Sequence, residues 1–256
     1  LQQQFASDAT LIHSGAQVLG EPAAGYLSHP GYAALPEAPY RYQEMLGVIW
    51  RENPSCYLQD GEQAVLMAAL METDNDGRPL IDAWIKRSGL TADAWLEKLF
   101  EATVIPFYHL LCRYGVALIA HGQNVTLVMK DYVPQRILLK DFQGDMRLVD
   151  EDFPQAQSLP EQVKAVTARL SADYIIHDLQ TGNFVTVLRF ISRLTLQCGV
   201  SETRFYQILA QVLRRYMAAH PDLAARFAKF DLFKPQIIRV ILNPVKLTFS
   251  EHDGGS

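Results

Sequence analysis

One stretch constrains the fold of this chain more than any other: GVALIAHGQNVTLVMKDYVPQRILLKDFQGDMRLVD, residues 115–150. Its apolar runs are short, rich in Val, Ile and Leu, and bounded by turn residues, which reads as strands rather than helices. Residues 116–120 form a buried apolar run that ends at His121-Gly122-Gln123-Asn124. Residues 125–130 and 135–140 then read as two strands joined by a turn over 131–134. A hairpin returns the chain to where it started. The polar residues before its first strand, His121, Gln123 and Asn124, therefore come close to Asp141, which follows the second.

Asn and Asp presented at one end of a hairpin are hard oxygen donors, suited to Mg²⁺ carrying a nucleotide phosphate. Protein kinases use the same logic: a catalytic-loop Asn, a strand pair, and an Asp-Phe-Gly whose Asp holds the metal. Here the chain offers His-x-x-Asn, a strand pair and Asp-Phe-x-Gly. The plain alternative is a hairpin whose polar ends are turn residues. The combination favours a site for ATP and Mg²⁺, although neither a glycine-rich loop with a strand lysine upstream nor a GxxxxGK[ST] phosphate loop occurs.

Around this segment, strands are expected over 10–19, 44–51 and 64–72, with a long loop rich in tyrosine, proline and glycine from Gly20. Such a loop is usually functional or packed down by its own aromatics. Asp74-Asn75-Asp76-Gly77 is a turn; as a calcium loop it fails, lacking an acid at the twelfth position. From Leu80 helices take over. Thr91 is the expected N-cap of a helix whose core stripe includes Trp95, Leu99, Phe100 and Phe107, with Pro106 kinking it or marking a junction. Further helices are expected over 159–170, 173–198, 201–219 and 221–230, and a final apolar run, PQIIRVILNPVKL, fits strand or helix. The expected fold is α+β: a mostly antiparallel sheet from the first 150 residues, packed against C-terminal helices. Residues 1–79 form its strand- and loop-rich segment and 80–256 its helix-rich one, in one compact domain.

With 23 Lys+Arg against 28 Asp+Glu the chain is acidic, which argues against nucleic acid as a partner. No apolar run approaches the ~18 residues of a membrane span, so no membrane partner is expected. Cys56, Cys112 and Cys198 are odd in number and widely spaced, the usage of reduced thiols in a cytoplasmic protein. His13, His29, His109, His177, His220 and His252 have no second ligand at metal spacing and read as structural or surface histidines.

AHGQN followed by ILLKDFQGDMRLV resembles the NRPS-independent siderophore synthetases, ATP-dependent enzymes that join citrate-type carboxylates to amines or alcohols. The resemblance continues through LGEPAAGYLSHPGYAAL, PYRYQEMLGVIWRENP, LSADYIIHDLQTGNFVTVLRFIS and FKPQIIRVILNPVKLT, and so covers essentially the whole chain. It implies that His121 and Gln123 face nucleotide and carboxylate, that Asn124 and Asp141 serve Mg²⁺, and that Lys140 adds positive charge. Arg51 and Glu52, in WREN, are placed near the nucleotide by the same resemblance; Lys234 and Arg239 read as structural. Many members carry Glu two residues before the His; here that position is Ile119. The implied reaction is amide formation between a citrate mono-amide and N6-acetyl-N6-hydroxylysine in iron acquisition, with a homodimer as the family expectation. Family enzymes are about twice as long, so this chain, which starts at Leu1 without Met, reads as their palm-like C-terminal half, without the upstream half that grips triphosphate and citrate. A kinase-like phosphotransferase and a non-catalytic dimerisation module are the rival readings.

Overall fold

Asp8 decides how the chain begins. After a first helix, Gln2–Ser7 (α1), its carboxylate accepts hydrogen bonds from Thr10 N at 2.8 Å and Leu11 N at 3.0 Å, capping Ala9–Ser14 (α2). Gly15, at φ +65°, closes that helix in the left-handed conformation. Cap and stop outweigh the extended-looking Thr-Leu-Ile pattern. The strand expected over 10–19 therefore shrinks to Gln17–Val18 (β1). In this computed structural model the described residues are 2–35, 45–142, 145–151, 153–154 and 160–237. They fall into two units, Leu1–Leu19 with Pro54–Phe233, and Gly20–Asn53 with Lys234–Ser256. Both segments expected from the sequence, 1–79 and 80–256, are divided by this partition.

The second unit contains an antiparallel ribbon of Ala23–Leu27 (β2) and Met45–Trp50 (β3), with Ala23 opposite Trp50. Residues 36–44, Arg239 and the final apolar run from residue 238 lie outside the described residues.

In the first unit, Glu62–Leu66 (β4) pairs antiparallel with Val125–Lys130 (β6), which pairs antiparallel with Val133–Leu139 (β7). β1 adds to β7 in parallel, giving the order β1-β7-β6-β4. The apolar run after Gly115 forms Val116–Leu118 (β5) and goes elsewhere: it pairs antiparallel with Met146–Val149 (β8), which pairs in parallel with Ala168–Leu170 (β9). Among the described residues the architecture is α+β, but with three small sheets, two of them mixed, in place of one mostly antiparallel sheet. The cause is local. The polar residues between β5 and β6 carry the chain out of one sheet and into another. β9 also corrects the expected helix over 159–170, whose helical part is Glu161–Val166.

The hairpin turn is tighter than the expected four residues: only Asp131 and Tyr132 separate the strands, at φ +49° and +64°. Two left-handed residues match the twist of the strands, a position usually given to Asn-Gly. Tyr132 is held there from outside, its carbonyl accepting from Trp95 Nε1 at 2.8 Å and its ring lying 4.3 Å beneath the Arg87 guanidinium.

Helices Leu80–Ser88 (α3) and Ala92–His109 (α4) follow β4 in the chain. Thr91 caps α4, accepting from Ala94 N at 3.2 Å, as its sequence suggests. α4 runs on through Pro106 and passes into a π-helical turn, Leu110–Tyr114, before Gly115 ends it at φ +64°. A Cβ on Gly115 would lie 2.6 Å from Val149, so only glycine allows β5 to start there. Glu202–Ala219 (α5) packs against α4, and Trp95, Phe100, Tyr108 and Phe205 are fully buried in one core cluster. Cys112 is buried and Cys56 exposed, both free.

His109, fully buried, ties three elements together. Its Nε2 lies 3.1 Å from Asp8 Oδ2, which also accepts from the Tyr114 hydroxyl at 2.8 Å. A carboxylate only accepts, so Nε2 carries the proton and Nδ1 accepts from the Tyr216 hydroxyl at 2.7 Å. Burial lowers the His109 pKa against the pull of Asp8. Asp8 is pushed up by burial but pulled further down by Leu11 N–H, Tyr114 and His109, ending below its ordinary value. Both groups bind protons more readily in the unfolded chain. Stability is thus full above about pH 6.5 and falls on acidification through the depressed His109 value, with Asp8 adding to the loss at lower pH. The thermal midpoint should fall between pH 7.5 and 5.5, and His109→Gln should flatten that fall. His109→Ala should cost about 3 kcal/mol in denaturant unfolding, by leaving a cavity and unpaired buried partners.

Candidate functional site

The six residues from Ile119 to Asn124 link β5 to β6, and their backbone is pinned along its length. Ile119 N donates to Asp145 O at 3.0 Å and Ala120 N to Asp178 O at 3.4 Å. Ala120 O accepts from the Asn183 side-chain amide at 2.9 Å. Gly122 O accepts from Ala68 N at 3.1 Å, and Asn124 N donates to His121 O at 3.0 Å. Lys140 N donates to Asn124 O at 3.3 Å, joining the loop to the end of β7. At Gly122 a Cβ would sit 3.1 Å from the Ala68 backbone, so the glycine permits this close approach. A polar loop held this way needs little reorganisation to act on a ligand.

The hairpin thus brings together most of the residues expected from sequence. Asn124 is buried, His121 and Asp141 are half-buried, and Gln123 is exposed. Asp141 directly follows Lys140 and sits at φ +66°, a left-handed conformation that is uncommon outside glycine and tolerated best by Asp and Asn. Backbone of this kind clusters at functional sites. Arg51 belongs to the second unit. There its guanidinium forks onto Glu21 Oε1, Nε at 3.0 Å and Nη2 at 2.6 Å, while Glu52 accepts from Gly20 N at 2.6 Å.

Sequence reasoning missed three residues of the site. Asp145, just before β8, accepts from Asn124 Nδ2 at 2.5 Å, and the same oxygen lies 3.7 Å from His121 Nε2. Asp178 pairs with Arg147 at 2.8 Å, and its second oxygen is buried without a hydrogen-bond partner among the described residues. Burial pushes its carboxyl up to about 6, against the opposing effect of Arg147, with the charge of Asp145 adding to the rise. Asn183, fully buried, belongs to a π-helical segment, Gln180–Leu188, and its Oδ1 is likewise unpartnered among the described residues. π-Helical turns recur at functional sites. Asp145 had a signal in sequence, four residues after Asp141 in DFQGD. Asp178 and Asn183 had only the resemblance of the stretch LSADYIIHDLQTGNFVTVLRFIS, with nothing local to place them beside the loop, because they arrive from a helical segment far along the chain.

Among the described residues no three His, Cys, Asp or Glu side chains converge as a metal cage. The donor chemistry at the hairpin end, with the Asn124 amide and the Asp141 carboxylate as oxygen donors, fits a Mg²⁺ whose shell is completed by phosphates and water. No helix among the described residues is long and apolar enough to cross a membrane.

Comparison with known proteins gives this geometry its context. Residues 93–255 match the family model described as ferric iron reductase FhuF-like transporter, and residues 1–72 match the IucA / IucC family. The chain is 68% identical over all its 256 residues to the aerobactin synthase of Escherichia coli, of which it covers 44%. Its fold matches the aerobactin synthetase IucC of Klebsiella pneumoniae with a TM-score of 0.88 at 66% identity, over 97% of this chain and 44% of that one. It also shares the fold of the ATP-bound aerobactin synthetase IucA of Klebsiella pneumoniae, with a TM-score of 0.66 at 18% identity over 85% of this chain and 40% of that one. The chain therefore spans less than half the length of these relatives. On sequence and fold together, it belongs to the IucA/IucC family of NRPS-independent siderophore synthetases, and over residues 93–255 to the FhuF-like family.

Proposed function

We propose that this chain is the nucleotide-handling, palm-like part of an ATP-dependent amide ligase that makes aerobactin. The observation that carries the reading is the pinned His121–Asn124 loop beside Asp141, in a chain 68% identical to an aerobactin synthase. ATP as co-substrate is supported by that pairing of amide and carboxylate and by the ATP bound to IucA.

A carboxylate is unreactive towards an amine, so a leaving group has to be installed first. In the proposed first step an oxygen of the citrate-derived carboxylate attacks the α-phosphorus of ATP. The new P–O bond displaces pyrophosphate, which leaves with the electron pair of the α–β bridge. In the second, the amine of N6-acetyl-N6-hydroxylysine attacks the acyl carbon. The C–N bond forms, the acyl C–O bond to AMP breaks, and the ammonium proton passes to solvent or a base. His121 and Gln123 orient the carboxylate and α-phosphate, and Lys140 offsets their negative charge. Asn124 and Asp141 would hold Mg²⁺, which when bound would neutralise phosphate charge. Arg51 is assigned to nucleotide binding. Positioning and charge neutralisation supply most of the acceleration in such chemistry. A cytoplasmic homodimer belongs to the same proposal, and sedimentation of the complete protein tests the dimer.

The deciding measurement is which product the complete protein releases from ATP. Pyrophosphate with AMP supports the ligase and ADP the kinase-like alternative; a complete protein that keeps full turnover when His121 and Asp141 are replaced would support the non-catalytic reading of this part. The 256-residue chain by itself should show a cooperative melt yet bind MgATP at least about tenfold more weakly than the complete protein. Two protein oxygens leave most of a Mg²⁺ shell to an anchored triphosphate. Calorimetry showing equal affinity would refute that half-site argument.

A further inference from the structure

We infer that Asp145 is a positioning residue for this site: its carboxylate decides which end of the Asn124 amide, and which edge of the His121 ring, is turned towards the nucleotide. This rests on the nucleotide–metal reading above. A side-chain amide has one accepting and one donating end, nearly equal in shape. What fixes its orientation is the partner it meets. An ionised carboxylate only accepts, so with Asp145 Oδ2 at 2.5 Å the Nδ2 end must face it. Oδ1, the end able to bind a cation, is thereby turned away from Asp145. The same Oδ2 lies 3.7 Å from His121 Nε2 and biases the ring by attraction.

Asp145 is itself well placed for this. Its carbonyl accepts from Ile119 N at 3.0 Å, next to the Leu118–Met146 pair of the β5–β8 ladder. Position 119 carries an apolar side chain, and the residue whose carbonyl its backbone N–H meets, Asp145 just before β8, carries the acidic group. Nor is the Asn124–Asp145 bond needed to hold the loop, whose backbone is already bonded at Ile119, Ala120, Gly122 and Asn124. The carboxylate is 30% exposed, so its loss leaves no sealed cavity. Partners that orient a metal-binding side chain typically matter 10–100-fold in affinity or rate.

The test uses Asp145→Ala and Asp145→Asn in the complete synthetase, with three readouts: thermal midpoint, pyrophosphate release as a function of Mg²⁺, and calorimetric binding of MgATP without acyl substrate. Asp145→Ala should melt within about 2 °C of the parent. It should lose about 10–100-fold in kcat and need about tenfold more Mg²⁺ for half-saturation. Asp145→Asn, whose own amide can turn either a donating or an accepting end to Asn124 and carries no charge, should recover only part of both and fall between the parent and Asp145→Ala. The inference is overturned if Asp145→Ala keeps parental kcat and Mg²⁺ dependence. It is equally overturned if both variants lose activity only in step with a large fall in melting temperature. If the parent releases ADP instead of pyrophosphate, the ligase reading fails. The calorimetric comparison then still decides the role of Asp145.

Discussion

Asp141→Asn in the complete synthetase should abolish pyrophosphate release, a loss of about 10³-fold or more, with the fold intact. The effect should exceed the 10–100-fold typical of partners one bond removed from a metal, because the substitution removes the one carboxylate assigned to Mg²⁺. Asn is also the substitution that isolates charge from backbone. Asp141 sits at φ +66°, and Asn adopts the left-handed region about as readily as Asp, so no strain is added. The side chain is half-buried, at the end of a strand, and outside the packed core. Thermal unfolding should shift by less than about 0.5 kcal/mol in stability. Near-normal pyrophosphate release by the folded variant would remove Asp141 from the metal site.

His121→Ala should lower kcat by about 10²–10³, the usual cost of losing a positioned donor next to developing charge, with little change in stability. His121 contributes its backbone carbonyl to Asn124 N, a bond that alanine keeps. Its side chain is one-third exposed and its nearest charged partner, Asp145, is 3.7 Å away, too far for a hydrogen bond. Little native stabilisation is therefore lost with the ring. A large fall in melting temperature with unchanged activity per folded molecule would instead make His121 a structural residue.

Much of the helical core was legible because its signals are local. Thr91 announced its own helix, since an N-cap bonds a backbone N–H three residues on. The hairpin was equally legible: β6 has the bounds expected, and the end where Asn124 meets Lys140 follows from any antiparallel return of the chain. The first strand was misjudged because Asp8 and Gly15 act together as a cap and a stop, which a β-branched pattern between them conceals. The turn was misjudged because Tyr132 occupies a left-handed position that only Trp95 and Arg87, packed against it, make tenable.

What the sequence determined by itself was the helical stripe of α4, the β6–β7 hairpin and the gathering of His121, Gln123, Asn124, Lys140 and Asp141 at its open end. Each of these depends on periodicity, capping or the return of one hairpin, and such interactions span few residues. Only the tertiary structure decided that β5 leaves the hairpin's sheet to pair with β8, that Asp145 faces Asn124, and that Asp178 and Asn183 take up the backbone groups of Ala120. Those contacts join segments up to some sixty residues apart. Their formation depends on how the helices fill the space behind β5, and no local residue pattern carries that information.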